Sequence, residues 1–263
     1  MVIFLDLDDT INDFSTQMNA IEPFWFLSST CARMLFFCYN DLFKNCHLKN
    51  TDLLERLKQY AHRYNHNIIT LSALPCYHSS YNIIKRLKQL SPKNPTAFLK
   101  SVRALSEEFD KTPIDPSQLK NLEAHFEAYV KAQSMSFEAY WDKLANDKKR
   151  WSLEVAKIQE CICVNDWSEK IHYLNDYTIL IDDSQKTLNE AHSQGYKAFD
   201  FNQISPKEML DQLAPIPLLN QMEQKLQQVK KAPPQTSTEA KAPTKAPTKA
   251  LPKVPPQVPI RTK

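Results

Sequence analysis

The chain has 263 residues, with a single glycine, 17 prolines and a formal net charge of +3. Residues 231–263 hold six Lys, one Arg and one Glu, a net charge of +6, so residues 1–230 sum to −3 and give no reason to expect a nucleic-acid-binding face. The single glycine also excludes the glycine-rich phosphate loops of P-loop and dinucleotide-binding proteins.

Short apolar runs alternate with amphipathic patterns along the chain. The first run, residues 2–5, is unbroken and leads into a cluster of acids, which is typical of a strand buried on both faces. Further strands are predicted within residues 67–75, 161–166 and 178–184, with a short fifth strand within 196–202. The clearest helices are predicted at 51–64 and 185–194, and Gly195 is expected to end the second in a left-handed conformation. The alternation predicts a three-layer α/β domain with a parallel, doubly wound sheet.

Two segments fall outside this repeat. Residues 13–50 predict a small helical cap, in which the aromatic residues pack together or, as the alternative, stack on a nucleobase. Residues 78–144 carry helical patterns broken by prolines and predict a helical insertion. The α/β core is then expected to comprise residues 1–12, 51–77 and 145–215, followed by a C-terminal helix at 216–230.

Residues 231–263 predict a disordered tail with local polyproline II character, because they hold eight of the prolines and no aromatic residue. The repeat APTKAPTKA is most simply a solvated tether. Binding of an unknown partner through the proline-rich or basic character of the tail is the alternative, for which the sequence contains no specific motif.

The cysteines and the start of the chain favour a cytoplasmic protein. The six cysteines form no CxxC pair and are expected to be reduced, mostly buried thiols. The first predicted strand begins at Val2, which leaves no residues for a charged leader. The most apolar stretch, residues 21–39, contains Glu22 and Arg33 and is expected to be a buried or capping helix that does not enter a membrane.

Acidic residues follow two of the predicted strands. Asp6, Asp8 and Asp9 come after the first strand, and Asp182 and Asp183 come at the end of the fourth. The carboxyl ends of parallel strands form the ligand crevice of an open sheet, so these acids are expected to converge there. Converging carboxylates repel one another, and Mg²⁺ with its preference for oxygen ligands relieves the repulsion. A carboxylate nucleophile, a metal and a lysine together favour phosphoryl chemistry through an aspartyl-phosphate.

The same residues resemble the motifs of haloacid-dehalogenase-like (HAD) phosphatases. DLDDT at residues 6–10 is similar to the DxDxT motif of that family, and LIDD at 180–183 is similar to its acidic fourth motif. Ser72 resembles the second-motif Ser/Thr, and Lys170 resembles the third-motif lysine. The phrases TLSALP and ILIDDS look most like the 5′-nucleotidase branch, including phage and bacterial members, which implies a nucleoside monophosphate as the phosphorylated substrate.

The resemblance implies a role for each of these positions. Asp6 would attack phosphorus, and Asp8 would protonate the leaving group and later activate water. Ser72 would bind a phosphoryl oxygen, and Lys170 would balance the charge of the nucleophile and the phosphate. The Mg²⁺ ligands would come from Asp6, the carbonyl of Asp8, and one or both of Asp182 and Asp183. Asp9 departs from the glycine common in the family at its position, which leaves the backbone of this turn open.

Several alternatives remain at this point. Thr70 competes with Ser72 for the second-motif role, and Lys148 and Lys149 compete with Lys170. The substrate could equally be another small phosphorylated metabolite or a polynucleotide end. A rival from another class is a binding or scaffolding protein that kept the fold and lost turnover, although the intact pair of Asp6 and Asp8 argues against it.

Overall fold

The computed structural model describes residues 1–22, 27–74, 77–111, 114–115, 119–203, 205 and 207–208. The described residues all belong to one compact unit. The predicted C-terminal helix at 216–230, the predicted tail at 231–263 and residues 23–26 of the predicted cap lie outside the described residues.

Five parallel strands form one sheet in the order β3-β2-β1-β4-β5. Their bounds are β1 Val2–Leu5, β2 Asn67–Ala73, β3 Glu160–Val164, β4 Thr178–Asp182 and β5 Lys197–Asp200. The first strand is central because β2 and β4 pair with its two edges, so that Leu5 lies in register with Thr70 and with Ile181. The structure thus confirms an α/β fold with an all-parallel sheet.

Eight α-helices are described. They are α1 Phe14–Ile21, α2 Ser29–Cys38, α3 Thr51–Arg63, α4 Tyr77–Leu90, α5 Pro95–Asp110, α6 Leu122–Ala132, α7 Phe137–Glu154 and α8 Gln185–Ser193. Short 3₁₀ helices occupy Leu42–Asn45 and Trp167–Tyr173. Gly195 follows α8 with φ +79°, the left-handed conformation expected of a residue that ends a helix.

The sheet is covered on both faces, because successive side chains of a strand point to opposite sides. Ile3 and Leu5 of β1 belong to a large apolar cluster that includes Leu54 of α3. Phe4, between them in sequence, belongs to a second cluster that includes Leu188 of α8. Helices therefore bury both faces of the sheet, which is the three-layer arrangement expected from the sequence.

Helices from the two segments predicted to lie outside the repeat pack against each other. Helix α2, in the predicted cap, packs against α4, α5 and α6. Helix α4 begins at the start of the predicted insertion, and α5 and α6 follow it along the chain. Helix α7 packs against β3 and against the 3₁₀ helix Leu42–Asn45. The five described cysteines are free thiols, and no described helix combines the length and apolar character needed to cross a bilayer.

Candidate active site

Pairing of β1 with β4 brings the two predicted groups of acids together. Asp6 follows β1 directly, Asp182 is the last residue of β4, and Asp183 follows it. The backbone N–H of Asp6 donates to the carbonyl of Ile181 at 2.9 Å, which extends the ladder to the start of the acidic turn. One carboxylate oxygen from each of Asp6, Asp182 and Asp183 lies within 4.8 Å of the other two. The predicted convergence is therefore observed for Asp6, Asp182 and Asp183.

Lys170 lies between two of these acids. Its Nζ is 2.8 Å from Asp6 Oδ1 and 2.7 Å from Asp182 Oδ2, and its side chain is only 3% exposed. Burial opposes the charge of the lysine, but Asp6 and Asp182 outweigh that effect and raise the pKa of Lys170. The ammonium group is thus held in its charged form beside the expected nucleophile. We call Asp6, Asp182, Asp183 and Lys170 the acid cluster.

Hydrogen bonds hold the carboxylates of Asp182 and Asp183 in place. Asp182 Oδ1 accepts from the backbone N–H of Ser184 at 2.8 Å, and Asp183 Oδ1 accepts from Thr10 Oγ1 at 3.0 Å. Burial raises the pKa of Asp183 to about 6, in spite of the hydrogen bond from Thr10. Burial also raises the pKa of Asp6 well above its ordinary value, and its neighbours Asp182 and Asp8 add to the shift against the opposing effect of Lys170.

The acid cluster has the donor set and the charge for a divalent cation. With three ionised carboxylates and one ammonium group its formal charge is −2. Asp6 Oδ1 is buried and makes no well-aligned hydrogen bond, although Lys170 Nζ lies 2.8 Å away. A hard cation such as Mg²⁺ prefers carboxylate oxygens and would relieve the repulsion. Asp6, Asp182 and Asp183 are the residues that could hold it.

Asp8 pairs with a lysine that is not part of the acid cluster. Lys148 of α7 donates to Asp8 Oδ2 at 2.5 Å, to Ser72 Oγ at 2.8 Å and to the carbonyl of Ala73 at 2.6 Å. These contacts use all three donors of the ammonium group. Lys148 is 1% exposed, whereas the Asp8 side chain is 25% exposed and lines a cavity. The site therefore contains two buried lysines, each beside a different acid.

Ser72 and Thr70, the two candidates for the second motif, have different hydrogen-bond partners. Ser72 accepts from Lys148 and lies at the end of β2. Thr70 instead shares a hydrogen bond with Ser152 Oγ at 3.0 Å and donates to the carbonyl of Glu160 at 3.1 Å, so its hydroxyl is engaged on the side of β3. Ser72 is fully buried, and because its oxygen accepts from Lys148, its hydroxyl hydrogen remains free to donate.

The turn after β1 is shaped around Asp9. Asp9 has φ +59°, a conformation that favours glycine but that aspartate tolerates better than most residues. Its carboxylate accepts from the backbone N–H of Ser15 at 2.9 Å and from the Ser15 hydroxyl, and its carbonyl accepts from Lys49 Nζ at 2.9 Å. Asn12 Oδ1 accepts from the backbone N–H of Asp9 at 3.2 Å. These contacts account for a non-glycine residue at this position.

Two adjoining cavities open beside Asp8. One of about 350 Å³ and one of about 520 Å³ share the walls formed by Asp8, Phe14, Ser29, Ala32 and Phe36. The smaller cavity also contacts Lys148, Arg33 and Trp167. Their volumes are in the range of small-molecule sites. A larger cavity of about 720 Å³ lies elsewhere, between the end of α2 and α6, and none of the site residues lines it.

Lys170 and Lys148, two of the three alternatives for the third-motif lysine, both contact predicted site residues. Lys170 contacts Asp6 and Asp182, and Lys148 contacts Asp8 and Ser72. The role of each lysine stays a prediction. A signal for Lys148 is present in the sequence, because it lies on the apolar face of α7 with Leu144 and Trp151, four residues before and three after. Lys149, the third alternative, is exposed.

Comparisons with protein-family models, with curated proteins and with solved structures gave no match. The resemblance to HAD phosphatases therefore rests on the motifs of this chain alone.

Proposed function

We propose that this protein is a Mg²⁺-dependent phosphoric monoester hydrolase of the HAD type that works through an aspartyl-phosphate on Asp6. The observation that carries the proposal is the meeting of Asp6, Asp182 and Asp183, whose oxygens lie within 4.8 Å of one another, with Lys170 between two of them. A cation held by these acids would supply charge neutralisation between the nucleophile and the phosphate. The small helical cap and insertion predicted around the core belong to the same proposal.

In the first step, Asp6 attacks phosphorus and the bond from phosphorus to the leaving oxygen breaks. The leaving oxygen takes a proton from Asp8, whose partly exposed side chain faces the cavities. Asp8 is paired with Lys148 before substrate binds. A phosphate dianion competes for the Lys148 ammonium, and Asp8, released from that pair, takes up from solvent the proton that it passes to the leaving oxygen. Lys170 stays beside Asp6 and offsets the negative charge that nucleophile and phosphate share.

In the second step, water attacks phosphorus and the bond from phosphorus to Asp6 breaks. Asp8, now a carboxylate, takes the proton of this water and returns it to solvent when it pairs with Lys148 again. Inorganic phosphate leaves, and Asp6 is again free beside Lys170. Ser72, next to Lys148, has its hydroxyl hydrogen available for a phosphoryl oxygen in both steps.

The substrate in this proposal is a phosphorylated small molecule, with a nucleoside monophosphate as the first candidate. The support for a nucleotide is the resemblance of TLSALP and ILIDDS to the 5′-nucleotidase branch, which is an argument by analogy. The aromatic residues Phe14, Phe36 and Trp167 line the cavity beside Asp8 and offer apolar surface to a leaving group of this size.

The test is hydrolysis of p-nitrophenyl phosphate by the full chain with Mg²⁺ and with EDTA, comparing the parent with Asp6→Asn. We expect Mg²⁺-dependent turnover in the parent and a loss of at least about 10³-fold in the variant, because the amide cannot form the covalent intermediate. Asp142→Asn is the matched control, since Asp142 is an exposed residue on α7. Equal rates for the parent and Asp6→Asn would favour the scaffold rival.

A further inference from the structure

Arg33 is a cation that lines the candidate substrate cavity and has no partner among the described residues. It lies on α2, is half-buried, and lines the 350 Å³ cavity together with Asp8 and Lys148. Within the described part of the chain, its guanidinium group makes no hydrogen bond and no carboxylate oxygen lies within 4.0 Å of it. Three other arginines, Arg56, Arg86 and Arg150, each have an acidic partner.

The charge balance of the cavity makes this arginine informative. The charged residues that line it are Asp8, Arg33 and Lys148, and Lys148 already neutralises Asp8 at 2.5 Å. Arg33 therefore gives the cavity an excess positive charge. The remaining lining is almost wholly apolar or aromatic, so little in the wall competes for the guanidinium group. A partly desolvated, unpaired guanidinium is costly and is stabilised by an oxyanion.

The excess positive charge of Arg33 is distinct from the charges of the two lysines, Lys170 and Lys148, that are assigned to the reacting phosphate. Lys170 and Lys148 contact Asp6 and Asp8, respectively, whereas Arg33 lies beyond ion-pair distance of Asp8. Trp167, another wall of the same cavity, carries Lys186 Nζ 3.9 Å from its ring centroid, which adds a second cation behind that wall. A ligand that fills the cavity thus meets the apolar surface of Phe36 and Trp167 together with the positive charges of Arg33 and Lys148.

We propose that the substrate carries a second anionic group, in addition to the phosphoryl group that is cleaved, and that Arg33 binds it. This inference rests on the proposed function and narrows its substrate class to phosphate monoesters with an apolar body and a second phosphate or carboxylate. Arginine suits this role because its planar fork binds both kinds of oxyanion with two parallel hydrogen bonds.

The test compares two matched pairs of substrates that differ by one anionic group. The pairs are adenosine 5′-phosphate with adenosine 3′,5′-bisphosphate, and phenyl phosphate with 4-carboxyphenyl phosphate. In the parent we expect the more highly charged member of at least one pair to have a kcat/KM at least about tenfold higher, the factor expected of one charged hydrogen-bonded contact. In Arg33→Gln that ratio should fall to about one, mainly through KM, and Arg33→Lys should retain part of it.

Arg56→Gln is the matched control, because Arg56 is an exposed arginine on α3 that pairs only with Asp52 at 2.8 Å. Its ratios and rates should equal those of the parent. A merely structural role of Arg33 would slow both members of a pair equally and leave the ratio unchanged, which would overturn the inference. The absence of a preference in both pairs would overturn it as well.

A binding measurement separates this inference from the proposed function. Adenosine 3′,5′-bisphosphate and 4-carboxyphenyl phosphate are titrated calorimetrically into Asp6→Asn and into Asp6→Asn with Arg33→Gln. Arg33-dependent binding without turnover in the parent would leave the anion site standing and would sink the hydrolase proposal. Turnover of all the substrates with Arg33-independent binding would sink the anion site alone.

Discussion

The molecule contains two buried polar clusters of opposite character. In the first, His125 Nε2 lies 2.9 Å from Glu22 Oε2, and His125 Nδ1 lies 2.7 Å from the Tyr39 hydroxyl. Glu22 Oε1 accepts in addition from the backbone N–H of Lys120 at 3.3 Å. We call Glu22, His125 and Tyr39 the Glu22 network. The second is the acid cluster, in which three carboxylates converge and the ammonium group of Lys170 contacts two of them.

The difference lies in how completely each cluster satisfies its own groups. In the Glu22 network both ring nitrogens of His125 and both oxygens of Glu22 have partners, although His125 and Glu22 are 0% and 1% exposed. In the acid cluster an oxygen of Asp6 lacks an aligned donor and the charges do not balance. A buried network in which every polar group has a partner stabilises the fold. A buried cluster whose charges do not balance is expected to be stabilised by a bound ion or ligand. Perturbing the first should cost stability, and perturbing the second should cost function.

The largest expected effect is the loss of activity in Lys170→Met. Methionine removes the charge between Asp6 and Asp182 and keeps most of the side-chain volume. We expect kcat for p-nitrophenyl phosphate to fall by about 10³-fold, or about 4 kcal/mol, as for the loss of a preorganised electrostatic contact to the reacting group. Steady-state kinetics with saturating Mg²⁺ provide the measurement.

Lys149→Met is the control for this prediction, because Lys149 is an exposed lysine that was an alternative to Lys170 in the sequence. Its kcat should remain within about twofold of the parent, as for a surface substitution. Comparable losses in the two variants would show that Lys170 has no special position beside the nucleophile.

The next effect is a loss of stability in His125→Ala. The substitution leaves the buried Glu22 without its side-chain partner. It also creates a cavity and removes the hydrogen bond to Tyr39. We expect the free energy of unfolding in urea to fall by about 3 kcal/mol, as when one partner of a buried polar pair is removed. The activity per folded molecule should stay at the parent level, because the Glu22 network does not touch the acid cluster.

His62→Ala is the matched histidine substitution, on the exposed face of α3. Its unfolding free energy should differ from that of the parent by no more than about 0.5 kcal/mol. If His125→Ala lost activity without losing stability, the division between the two buried clusters would be wrong.

Much of the fold could be predicted because its signals are local. An unbroken apolar run such as Val2–Leu5 predicts a buried strand, and an amphipathic repeat such as that of α3 predicts a surface helix. The acids after β1 and β4 could be placed at one edge because parallel strands end on the same side. The predicted roles of Asp6, Asp8, Ser72 and Lys170, and the predicted division into core, cap and insertion, remain predictions.

The parts that could not be predicted depend on contacts distant in sequence. Glu22 and His125 are 103 positions apart, and nothing in either local pattern indicates that they meet. Lys148 is 140 positions from Asp8, so that only the packing of α7 against the sheet reveals their contact. The unpaired state of Arg33 is likewise a property of the folded cavity.

The smallest expected effect is stabilisation of the fold by Mg²⁺, which should depend on the acid cluster and not on the Glu22 network. At pH 7.5, above the pKa of about 6 for Asp183, protons compete little with the ion for this carboxylate. Mg²⁺ at ten times its Kd should raise the free energy of unfolding by about 1.4 kcal/mol. Urea unfolding with Mg²⁺ and with EDTA measures the increment.

We expect this Mg²⁺ increment to be retained in His125→Ala and in Asp142→Asn. It should be lost in Asp183→Asn, which keeps the side-chain shape beside Thr10 but removes a charged ligand. An unchanged increment in Asp183→Asn would mean that the ion binds away from the strand ends, and the acid cluster would then need another explanation for its unbalanced charge.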